Sequence, residues 1–67
     1  MEKVKEIERL VRNHASAWRH YTYKEREEVA EYIAKQIHQV TNQYQKSELW
    51  RRIYQCGDIL HYISMYL

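Results

Sequence analysis

The chain has 67 residues and a net charge of +2, with no proline, one glycine and one cysteine. That length sets one helical domain over residues 1–67 and leaves about 3–5 kcal/mol of net stability, little of it to spare for a strained active site. The lone cysteine excludes an internal disulfide framework and fits a reducing, cytoplasmic setting. A charged N-terminus without an apolar h-region argues against a signal peptide, and the longest apolar cluster is too short to span a bilayer.

The composition is rich in Glu, Lys, Arg and Gln, which favours helix throughout. Seven tyrosines and two tryptophans stand without a single phenylalanine. Tyr and Trp suit positions that are half buried and half wet, as at interfaces and at the boundary of a small core.

The first helix is predicted over 2–20. Val4, Ile7, Val11, His14 and Trp18 recur at three or four residues, and Leu10 and Tyr21 widen the stripe. At about 100° per residue, Lys5, Arg9, Arg12 and Arg19 gather on the opposite side. The break falls at His20-Tyr21-Thr22. Thr22 followed by Glu25 has the spacing of a capping box, so Thr22 is the expected N-cap.

The second helix is predicted over 23–42. Glu25, Glu27, Glu28 and Glu31 crowd its first turns, where the helix dipole favours negative charge. Val29, Ile33, Ile37, Val40 and Tyr44 form the expected apolar face. The next loop carries neither Pro nor Gly, and Ser47 is the expected cap of a third helix over 47–66.

In that third stretch Leu49, Ile53, Cys56, Leu60, Ile63 and Leu67 alternate at four and three residues, like the a and d positions of a heptad. Cys56 is therefore expected to be buried. A second row of Ile59, Tyr62 and Tyr66, with Met65 nearby, cannot share that seam. Gly57 falls inside the helix, where it costs about 1 kcal/mol relative to Ala unless a bulky neighbour such as Trp18 or Tyr32 uses the notch. The expected fold is all-α, a small antiparallel three-helix bundle whose core dimerisation could complete. The alternative is a two-helix hairpin that needs a second copy.

No Ser–His–Asp set, paired buried carboxylates or Gly-rich phosphate loop is present, so no catalysis, cofactor or small-molecule substrate is expected. The histidines and the cysteine lack the spacing of a zinc site. The expected function is a non-enzymatic protein–protein interaction module, a small regulator, inhibitor or adaptor of the kind phages and mobile elements encode. It would dock on another protein, or on itself, through Ile59, Tyr62, Met65 and Tyr66. The alternative is a nucleic-acid-binding regulator that uses Lys5, Arg9, Arg12 and Arg19, extended by Arg51 and Arg52.

Overall fold

The computed structural model describes residues 2–67. They fold into four α-helices, and no strand occurs among them. Helix α1 spans Glu2–Ser16, α2 spans Tyr23–His38, α3 spans Gln43–Ile53 and α4 spans Asp58–Ser64. Short 3-10 turns at Trp18–His20 and Tyr54–Cys56 follow α1 and α3.

Each boundary has a local cause. Helix α1 stops at Ser16, earlier than its apolar stripe suggests, and the Trp18–His20 turn then swings Trp18 into the core at 6% exposure. Thr22 caps α2 as its spacing requires. Its Oγ1 accepts from Glu25 N at 3.1 Å, and Glu25 Oε1 accepts from Thr22 N at 2.8 Å. At the far end α2 stops at His38 rather than 42, and Val40, two residues beyond, is still buried. Asn42, not Ser47, caps α3: its Oδ1 accepts from Gln45 N at 3.0 Å. An Asn is among the strongest N-caps, and it draws the start of α3 forward by a full turn. Tyr44 then lies in the first turn of α3 and is exposed instead of extending the apolar face of α2.

The expected 47–66 helix is two helices. Gly57 adopts φ 72° and ψ −126°, a conformation that an L side chain rarely adopts. A Cβ placed there would meet nothing within 4 Å. The glycine therefore serves the backbone, and neither Trp18 nor Tyr32 fills a notch beside it. Its turn also breaks the heptad register. The buried series runs Leu49, Ile53, Ile59, Ile63, and the six-residue step from Ile53 to Ile59 crosses the turn. Cys56 and Leu60 end half-buried, and Leu67 is 46% exposed.

Helices α1 and α2 run antiparallel. Lys3 Nζ donates to Gln36 Oε1 at 2.6 Å near one end of α1, and Arg26 Nε donates to the Trp18 carbonyl at 3.1 Å just beyond the other. Helix α1 also packs on α3 and α2 on α4. Val4, Ile7, Val11, Ile33, Ile37, Leu49, Ile53, Ile59 and Ile63 are all nearly or fully buried in one apolar cluster. Each such side chain contributes about 1.5–3 kcal/mol by leaving water. The seven-residue α4 is too short to be stable alone, so Ile59 and Ile63 hold it in place. Among the described residues, no helix is long and apolar enough to cross a membrane.

Candidate functional site

Two surfaces carry the residues singled out above. The first is a shallow groove between α1 and α3, lined by Lys5, Glu8, Arg9, Arg12, Asn13 and Arg52. The fold thus brings Arg52 beside the α1 cations, as the sequence suggests. It also supplies counter-charges. Arg12 Nε donates to Glu8 Oε2 at 3.0 Å, and Arg12 Nη2 donates to the Arg52 carbonyl at 2.9 Å. Arg52 reaches both Glu8 at 3.1 Å and Glu48 at 3.4 Å, while Arg51 meets Glu48 at 3.3 Å. Glu2 and Glu6 border Lys5 and Arg9. Arg19 lies apart, on a recess shared with Ser16, Trp18, Cys56 and Asp58. The stripe is a mixed-charge face in which arginines clamp α3 to α1. The Arg52 hydrogen bond holds the Glu8 carboxyl below its usual 4.5; burial opposes this and Arg12 adds to it.

The second surface lies where α2 meets α4. Trp18 forms its floor, edge-to-face with Tyr62 at 5.3 Å and with Tyr21 at 5.7 Å between ring centroids. Tyr62 in turn meets Tyr23 edge-to-face at 6.0 Å. Tyr23 is 64% exposed and Met65 62%, while Tyr62 and Tyr66 are half-buried against the core. Ile59 drops out of the expected binding row. It is fully buried, because the turn at Gly57 rotates α4 and brings Ile59 and Ile63 onto its inner side. The surface that remains is Tyr23, Tyr62, Met65 and Tyr66.

Tyr23 is the residue that sequence reasoning missed here. A signal for it exists, since Tyr23, Glu27 and Glu31 recur at four residues and so share one side of α2. Burial, with Glu27, Glu31 and Tyr23 close by, pushes the Tyr66 phenol above its usual 10.0.

His14 Nδ1 lies 2.8 Å from the Tyr21 hydroxyl, as suits a histidine at a core boundary. Among the described residues, no three His, Cys, Asp or Glu side chains assemble into a group that could hold a metal ion. The comparisons with known proteins find no family model, curated protein or solved structure detectably similar to this chain.

Proposed function

We propose that this chain is a non-enzymatic helical interaction module, a small cytoplasmic regulator, inhibitor or adaptor, that docks on another protein through the aromatic face of α2 and α4. One observation carries the reading. Tyr23 and Met65 stand largely in solvent, and Tyr23 is the outer member of an edge-to-face Trp18–Tyr62–Tyr23 series. Rigid aromatic groups lose little entropy on binding and dominate interface energetics. Ile59 and Ile63 anchor this face from behind, so it is presented without local folding. The test is a photo-crosslinking residue placed at position 23 or 65, with position 44 on α3 as the exposed control. A partner captured from the native host at 23 and 65 but not at 44 supports docking on this face. Equal capture at all three positions removes the reading.

A second reading rests on the groove where Lys5, Arg9, Arg12 and Arg52 converge. Phosphate binding releases counterions and is steeply salt-dependent. With Arg12 and Arg52 committed to Glu8 and Glu48, such binding would be weak and carry little sequence preference. Titration with DNA and RNA at low salt tests it, and absence of binding there sets it aside.

A further inference from the structure

We propose that the α2–α4 aromatic face takes a cationic, apolar-studded segment of a foreign protein and does not take a second copy of this chain. The proposal rests on the docking reading above and adds the chemistry of the partner. Tyr23, Glu27 and Glu31 form a row along α2 at four-residue intervals, adjoined by Tyr62 of α4 and by Met65 and Tyr66 just past its end. The surface is thus aromatic with a carboxylate edge.

Those carboxylates have Lys24 and Lys35 three and four residues away on α2 but are locked to neither. Among the described residues neither Glu27 nor Glu31 joins an ion pair. The nearby Arg26 is engaged elsewhere, with its Nε on the Trp18 carbonyl and its guanidinium 5.6 Å from the Trp18 ring centre. Aromatic rings present negative faces, which attract Lys and Arg when the cation sits over the ring. Rings and carboxylates at this face therefore favour the same sign of partner.

A second copy fits poorly in either geometry. A two-fold dimer sets the same patch against itself, so Glu27 and Glu31 of both copies would be gathered into one interface with no added cation from the patch. Like charges across an interface suppress association. A head-to-tail contact would need a cationic face on the second copy. The α1–α3 groove holds four cations, but Arg12 and Arg52 are tied to Glu8 and Glu48, and Glu2 and Glu6 border Lys5 and Arg9, which makes it a weaker match than a segment with free cations.

The experiment uses the whole chain, isotope-labelled, and two synthetic amphipathic helical peptides. The peptides share one Leu pattern and differ only in carrying Lys and Arg or Glu on the polar side. Backbone amide shifts are followed on titration, and the chain alone is sedimented across the micromolar range. The expected result is saturable shifts at Tyr23, Glu27, Tyr62, Met65 and Tyr66 with the cationic peptide only, and a monomer by sedimentation. Glu31→Lys, at an exposed position, should weaken the cationic peptide by about three- to tenfold, as expected for loss of a complementary charge at an interface. Glu27→Lys with Glu31→Lys should reverse the preference. Circular dichroism confirms that both variants remain helical. Equal binding of the two peptides, binding of neither, or a dimer that Met65→Glu separates would overturn the proposal. Crosslinking at positions 23 and 65 to a partner without cationic character would also overturn it while leaving the docking reading intact.

Discussion

Arg52 Nη1 donates to Glu8 Oε1 at 3.1 Å, joining residues 44 positions apart in sequence. The same guanidinium holds Glu48 one turn back on α3, and Arg12 reaches past Glu8 to the Arg52 carbonyl. Arg12 of the cationic stripe and Arg52 thereby form a clasp between α1 and α3. Partly exposed ion pairs are individually weak and screened by salt, so the clasp fixes the alignment of the two helices more than it supplies stability.

The first prediction follows from that clasp. The carboxyl of Glu8 titrates below its usual 4.5 in the folded chain. Its contribution is therefore present above the unfolded value and is lost as pH falls through the lowered folded value. Thermal melts of Glu8→Gln should show a lower midpoint at neutral pH and a shallower decline below about pH 4.5 than the parent chain. Identical acid limbs would show that the clasp does not persist in solution.

Gly57 gives a test by sign. In a continuous helix Gly57→Ala would stabilise by about 1 kcal/mol. With φ at 72° the same change should destabilise by about 1–3 kcal/mol, although the added Cβ meets no neighbour. Chemical denaturation of the two chains decides between the outcomes. A stabilised variant would mean that α3 and α4 are fused.

The shifted register of α4 makes neighbouring residues unequal. Ile59→Ala and Ile63→Ala, both at fully buried positions, should each cost about 2–5 kcal/mol and can unfold a chain of this size. Leu60→Ala, half-buried, should cost clearly less. Cys56 is half-buried too, so thiol reagents should label it in the native chain without global unfolding. Slow labelling together with a costly Leu60→Ala would restore the unbroken heptad seam.

Trp18 carries an unusual load. Its ring is 6% exposed and touches Tyr21 and Tyr62, yet its Nε1 finds no hydrogen-bond partner among the described residues. An unmet buried donor costs about 1–3 kcal/mol. Trp18→Phe removes that donor and keeps an aromatic ring, so its cost should stay near or below about 1 kcal/mol. Trp18→Ala should cost about 3–5 kcal/mol, comparable with the whole stability of the fold. Denaturation midpoints for the pair measure the difference. A Trp18→Phe loss as large as that of Trp18→Ala would mean that the indole N–H is paired in solution.

What the sequence by itself determined lies in its local chemistry. The stripe of Val4, Ile7 and Val11 makes α1 and turns it inward, and the Thr22–Glu25 pair starts α2. Both work within one or two turns of helix, where spacing alone sets geometry. Even Asn42 and Gly57 were legible in principle as a cap and as a residue suited to positive φ. The heptad spacing from Leu49 to Leu67 masked Gly57, since it reads as one unbroken helix, and Ser47 offered a rival cap to Asn42. The tertiary structure decided what that spacing could not. It set Ile59 into the core, left Cys56 and Leu60 at its edge, and stacked Tyr23 of α2 against Tyr62 of α4. It also paired Arg52 and Arg12 with Glu8, which drew part of a basic stripe into a clasp. The physical reason is that burial and charge pairing depend on which helix lies opposite, and a single backbone turn at Gly57 reassigns the neighbours of every residue after it.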